Sequence, residues 1–277
     1  MIITDVSPQR QLQQSLETIL TPWDRLKVPG FELRRDTVSL FRLPHLNTIT
    51  YRCAIAVQLA SQFSVSPLTL AEEILKVIEG QVSSFSFTVE LVAPGWLHFE
   101  LSDRSLAHWL QNLATFPWPV KNSPLMSVNH NNLFPLEYAQ TRCGALLRLG
   151  EQERIIQLNN GLFEPNFRSL KHPQMIPWYD VAKEQLRLSD PVERSLIFQL
   201  VTTMDRLVNE SSVDEIKLAN HLSESFLKFD RYCRIFGETA QVNTELSQVR
   251  LGLVALTQYV LKGLWLCQIE QPPRPQL

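Results

Sequence analysis

The apolar residues of this chain keep two different periods, and the change from one to the other falls at a single proline-rich stretch. Before it, Phe85, Phe87, Val89 and Leu91 alternate with Ser86, Thr88 and Glu90, and Leu97, Phe99 and Leu101 alternate on the return. A period of two predicts a hairpin with one covered face, and Ala93-Pro94-Gly95 supplies its turn. After it, Ile216, Ala219, Leu222, Phe226, Phe229, Cys233 and Phe236 recur three or four apart. Leu246, Val249, Leu253, Leu256, Val260, Leu264 and Cys267 do the same. That spacing predicts two helices, each with one buried stripe. The two periods call for two domains: an α+β domain, a small antiparallel sheet with helices, over residues 1–115, and an all-α helical bundle over 134–277. Pro117, Pro119 and Pro124, followed by Asn129-His130-Asn131-Asn132, mark residues 116–133 as the linker.

Local signals fill in the elements. Pro8 to Leu20 reads as an amphipathic helix, Thr37 to Leu43 as a short strand and Ile55 to Phe63 as a helix. Ser66 is a helix cap with Pro67 at the first helical position, and Ser102 to Leu113 is helical again. In the second half a helix over Phe134 to Leu149 is stopped by Gly150, and residues 151–189 are expected to form loops with short helices. Asp190-Pro191-Val192-Glu193 starts the next helix with a cap, a proline and a glutamate at the third position, and Ser212 with Glu215 repeats that logic.

Composition bounds the function. With 44% hydrophobic and 19% charged residues among 277, the chain can bury a real core. Its net charge of -2 leaves no general basic excess, and residues 121–277 carry 17 basic and 17 acidic side chains. Any nucleic-acid contact has to come from a local patch. Cys53, Cys143, Cys233 and Cys267 lie far apart among apolar neighbours and read as buried thiols, not a disulfide framework or zinc site. Scattered histidines and only nine glycines offer no metal cluster, acid-base constellation or phosphate-cradling loop, so no cofactor is expected. No run approaches the ~18–20 apolar residues of a membrane span, and a cytoplasmic location without membrane insertion is expected.

Three stretches of the second half resemble the DALR anticodon-binding domain of arginyl-tRNA synthetases. Leu136-Glu137-Tyr138-Ala139-Gln140-Thr141-Arg142 is similar to its Tyr-Ala-x-x-Arg opening. Lys217 to Leu222, then Phe226 and Phe229-Asp230-Arg231-Tyr232-Cys233-Arg234, resemble its central helix, and Arg250 to Leu264 its closing helix. The first half resembles the N-terminal additional domain of the same enzymes, through Ala56 to Ala60, Ser66-Pro67, Ala71 to Ile74 and the hairpin Val89 to Ser102. Family members usually carry Gly-Asp-Tyr-x-x-Asn where this chain has Ile49-Thr50-Tyr51-Arg52-Cys53-Ala54, and only Tyr51 is kept in that expected loop. The ending Pro272-Pro273-Arg274-Pro275-Gln276-Leu277 also departs from the family's Pro-x-x-Met.

The resemblance implies a bundle of the class I synthetase anticodon-binding type and a tRNA-binding role without aminoacylation. The nucleotide-binding catalytic domain that separates these two parts in the enzymes has no room in the linker. His130-Asn131-Asn132-Leu133 and Leu125-Met126-Ser127-Val128 echo the HIGH and KMSKS motifs only superficially. The expected role is therefore a stand-alone, non-catalytic binder of tRNA or another structured RNA, serving as chaperone, sensor or regulator. The alternative is a protein-interaction module built on the same scaffold.

Seven side chains are candidates for the RNA contact. Lys217, His221, Lys228 and Arg231 share one helix face opposite the apolar stripe, within reach of phosphates, with Glu224 interrupting them. The competing reading is a solvated face tied by local ion pairs. By resemblance, Tyr138, Gln140 and Arg142 lie where an anticodon base is met, with the ring available for stacking and the guanidinium for phosphate or a base edge, while packing between helices accounts equally well for Tyr138. Arg234 and Arg250 are expected to be structural, and Trp96 to pack beneath a helix.

Overall fold

The computed structural model describes residues 6–23, 38–44, 48–80, 87–113, 134–158, 170–210 and 213–266. The expected linker lies outside these residues, as do Thr37, Phe85, Ser212, Cys267, the two motif echoes and the C-terminal tail. The chain forms two compact units, Met1–Leu106 and Ala107–Leu277.

The first unit is an antiparallel four-stranded sheet covered on one face by helices. Helix α1 (Pro8–Leu20) starts where the Ser7 hydroxyl accepts the Arg10 N–H and Pro8 takes the first position. Strands β1 (Leu40–Arg42) and β2 (Thr50–Cys53) precede helices α2 (Ile55–Phe63) and α3 (Pro67–Glu79). Strands β3 (Phe87–Val92) and β4 (Trp96–Leu101) follow, then α4 (Asp103–Leu113), inside which the boundary between the units falls. The sheet order is β1-β2-β4-β3. Pairing sets Tyr51 opposite Phe99 and Cys53 opposite Leu97, and all four are fully buried on the helix-covered face. Phe87 meets Phe99 edge to face, with ring centroids 5.2 Å apart.

Two expectations for this unit are corrected. The Ile49–Ala54 stretch is no loop: Thr50–Cys53 is a central strand hydrogen-bonded on both sides. Tyr51, the residue kept from the family pattern, is therefore a core ring with no exposed surface. Trp96 does not lie on the face that the described helices cover. It alternates with buried Leu97 and so lies on the opposite sheet face, where the Arg52 guanidinium sits 5.2 Å from its ring centroid. Arg52 Nε also donates to His98 Nε2 at 3.0 Å.

The second unit is mostly helical, but not all-α. Helix α5 (Phe134–Gln152) is followed by two short antiparallel ladders, β5 (Gln157–Leu158) with β6 (Leu170–His172), and β7 (Tyr179–Asp180) with β8 (Gln185–Leu186). These ladders replace the short helices expected there. Asp180 Oδ1 accepts the N–H groups of Ala182 and Lys183, which closes the β7–β8 turn. Helices α6 (Pro191–Asn209), α7 (Glu215–Tyr232), α8 (Glu238–Val242) and α9 (Thr244–Leu266) complete the unit. Asp190 and Glu193 form the expected capping box of α6, while α7 is capped by Asp214, whose carboxylate accepts the Lys217 N–H at 2.9 Å.

Helix α9 is the core of this unit. A single apolar stripe was expected, yet Leu251 to Thr257 are buried without a break, because α5, α6, α7 and α8 all pack against it. On α7, Leu218 joins the buried set and Ile216 stays half-exposed, while Phe236, expected in the same stripe, lies beyond the end of the helix and is half-exposed too. Gly150 does not stop α5. It lies within the helix, where a Cβ would come 2.7 Å from Leu251 Cδ1.

One carboxylate organises the helix ends. Glu193, 1% exposed, accepts Arg250 Nε at 2.6 Å through Oε1 and the Asp190 N–H at 3.0 Å through Oε2. Arg250 Nη1 also donates to the Arg234 carbonyl, so Arg250 takes the structural role expected of it, while Arg234 joins through its backbone and its side chain is exposed.

Two substitutions test these joints. Gly95, at φ +149°, has the Pro67 carbonyl oxygen 2.6 Å from where a Cβ would stand. Gly95→Ala is expected to lower stability by about 1–3 kcal/mol in urea unfolding. Arg250→Ala leaves Glu193 buried without its cation and is expected to cost about 3–5 kcal/mol, measured the same way.

Candidate nucleic-acid interface

The candidate surface is built on α7 and α5, which pack against each other and against α9. The apolar side of α7, with Leu218, Ala219, Leu222, Phe226 and Phe229, faces inward. This forces Lys217, His221, Lys228 and Arg231 outward, and all four are exposed. From Lys217 to Arg231 the helix rises ~21 Å, about three to four phosphate spacings of an extended single strand. Among the described residues none of these four side chains pairs with a carboxylate, including Glu224 in their midst. The ion pairs that a merely solvated face was expected to show are absent from that set.

The α5 candidates divide. Tyr138 is 51% exposed and lies parallel to Phe134, itself 67% exposed, with ring centroids 6.2 Å apart and planes 13° apart. Gln140 turns inward instead and is buried, with its Nε2 unpartnered, while its carbonyl accepts from Gln258 Nε2 at 3.4 Å. Two steps along a helix turn the chain by about 200°, so Gln140 points almost opposite to Tyr138, on the side of core residues Ala139 and Cys143. It is removed from the contact surface.

Arg142 is partly committed. Its Nε reaches Asp230 Oδ2 at 2.7 Å and its Nη2 reaches Oδ1 at 3.1 Å, a two-pronged pair between α5 and α7. The Asp230 hydrogen bond raises the Arg142 pKa above its ordinary value. The side chain is still 43% exposed, so the pair lies at the rim of the surface. Arg142 thus holds the two helices together beside Tyr138, and its charge is offset where a phosphate was expected.

Sequence reasoning missed two members of this surface. Phe134 was visible in principle, because aromatic residues four apart on a helix share a face. Asp230 stood within the quoted Phe229-Asp230-Arg231 run, but pairing across 88 residues carries no local signal.

Nothing in the site suggests thiol or metal chemistry among the described residues. Burial pushes Cys53 and Cys233 up to about 12 and raises Cys143 well above its ordinary value. These three thiols are buried as expected. Among the described residues no group of three His, Cys, Asp or Glu side chains is placed to hold a metal ion. No described helix is long and apolar enough to cross a membrane. Compared with protein-family models, curated proteins and solved structures, the chain matches none.

The Arg142–Asp230 bond is measurable in isolation. A double-mutant cycle of Arg142→Ala and Asp230→Ala, read by chemical unfolding, is expected to give a coupling of about 0.5–1 kcal/mol, small because the pair is half in water.

Proposed function

We propose that this protein is a non-catalytic RNA-binding protein of arginyl-tRNA synthetase descent, which meets tRNA or another structured RNA on the outer faces of α5 and α7. The observation that carries this reading is the exposed row Lys217, His221, Lys228 and Arg231. Its cations have no carboxylate partner among the described residues, and they follow one helix face over a length suited to a phosphate backbone. The Phe134–Tyr138 pair adds two exposed rings, one of which offers its outer face to an unpaired base. Phosphate contact gives the affinity in this arrangement, and stacking favours a looped or single-stranded region.

One observation favours a second reading, a protein-interaction module. Asp230 offsets Arg142, the cation nearest the rings, and leaves an aromatic patch flanked by a neutral ion pair. A protein partner tolerates such a patch better than a polyanion does.

A titration with arginine tRNA and with an unrelated tRNA, each at two salt concentrations, separates the two. Lys217→Ala and Lys228→Ala are each expected to weaken binding and to reduce the salt slope by about one. Tyr138→Ala is expected to weaken binding by about 1–3 kcal/mol with the slope unchanged. Asp230→Asn, which releases Arg142, is expected to strengthen it. No saturable binding of either tRNA at low salt ends the RNA reading and leaves the protein-partner one.

A further inference from the structure

Strand β3 is an edge of the four-stranded sheet, paired with β4 along its six residues and with no further strand beside it among the described residues. Among the described residues, the backbone bond recorded for it outside that pairing is from the Gly95 N–H to the Val92 carbonyl, at the turn. Its open side therefore presents a row of backbone donors and acceptors without protein partners, which is a template for another strand. Protected edges normally carry proline, lysine or a bulge. Phe87–Val92 has no proline and no lysine, its pairing with β4 runs in unbroken register, and Glu90 is its only charge.

The side chains define what fits. Phe87, Val89 and Leu91 share the core side with Leu97, Phe99 and Leu101 of β4. The β4 residues are buried, whereas the three β3 residues remain half-exposed. The apolar layer thus reaches the edge and stops there without full cover. Thr88 and Glu90, on the other face, are exposed.

We propose that β3 pairs antiparallel with β3 of a second copy of this chain, about a two-fold axis at Val89, and so joins two four-stranded sheets into one. The strand is its own complement in this register. Val89 faces Val89 of the second copy, Phe87 faces Leu91, and Thr88 faces Glu90, the last two pairs each occurring twice by symmetry. Facing residues in an antiparallel pair lie on the same side, so the half-exposed apolar rows meet and cover each other. A slip by one residue would set apolar against polar faces. A register centred on Glu90 would place that carboxylate against its own copy, and one centred on Thr88 would leave Leu91 without a partner within Phe87–Val92. Edge pairing over so few residues buries little surface, so the dimer is a weak, concentration-dependent one.

Sedimentation of the full chain over a wide concentration range tests this. Wild-type protein is expected to shift from monomer towards dimer as concentration rises. Thr88→Glu places like charges opposite each other at two symmetric positions and is expected to raise the dimer dissociation constant about twofold to thirtyfold. Thr88→Lys, facing Glu90, is expected to lower it, and Thr88→Glu combined with Glu90→Lys to restore it. Both positions are exposed, and an unchanged circular dichroism spectrum checks that the fold is kept. A chain that stays monomeric throughout overturns the proposal. So does a dimer indifferent to these charge changes, since its contact would lie elsewhere.

Discussion

The helical unit depends on how one buried carboxylate is satisfied. Glu193 lies in the first turn of α6, where it caps the helix in return for the Asp190 cap, and the same side chain takes the Arg250 guanidinium from α9. Arg250 in turn binds the Arg234 carbonyl just past the end of α7. Three helix ends therefore meet through two side chains. Such a buried pair adds little net stability over a well-packed apolar substitute, because desolvating both charges costs about what their attraction returns. Its consequence is geometric. Any slip of α9 against α6 strands a charge in the core, so the register of the unit is fixed by the penalty of breaking the pair.

With that register fixed and α9 buried without a break from Leu251 to Thr257, the outer faces of α5 and α7 are relieved of structural duty. The α7 row illustrates this. Lys228 and Arg231 are like charges three apart, and Lys217 stands in the first turn, where the helix dipole disfavours a cation. Neither arrangement helps the helix form. The fold tolerates this row at a small cost, with no ion pair among the described residues to offset it. The Arg142–Asp230 bond serves the opposite purpose, since it couples the two helices that carry the surface.

How far the sequence could be read follows from the range of each interaction. Helix starts were legible where a cap and a proline stand side by side, as at Ser66-Pro67 and at Asp190-Pro191, the latter with Glu193 completing the box. The Phe87–Leu101 hairpin was legible because alternation and turn are both local. Strand β2 was missed although Ile49, Tyr51 and Cys53 alternate with Thr50 and Arg52, because a run this short carries little weight by itself and the family resemblance pointed to a loop there. The β5–β8 ladders were missed for a related reason, being strands of two or three residues held by turns. In the site, the outward placement of Lys217, His221, Lys228 and Arg231 followed from the apolar stripe opposite them. The inward turn of Gln140 needed knowledge of which α5 face meets α9, and the capture of Arg142 needed its partner on α7.

The two open surfaces belong to different units and rest on different physics. The α7 row holds point charges in water, whose attraction for a polyanion fades as salt rises. The β3 edge offers unpaired backbone groups beside a half-covered apolar row, and burying such a row does not weaken with salt. Because the β3 register needs only β3 itself, self-association makes no demand on the α5–α7 face. An RNA bound there would in turn gain from a second copy, since two linked sites hold a multivalent ligand more tightly than one. On the two proposals together, the edge strand would set how many copies are present and the cationic row what each copy holds.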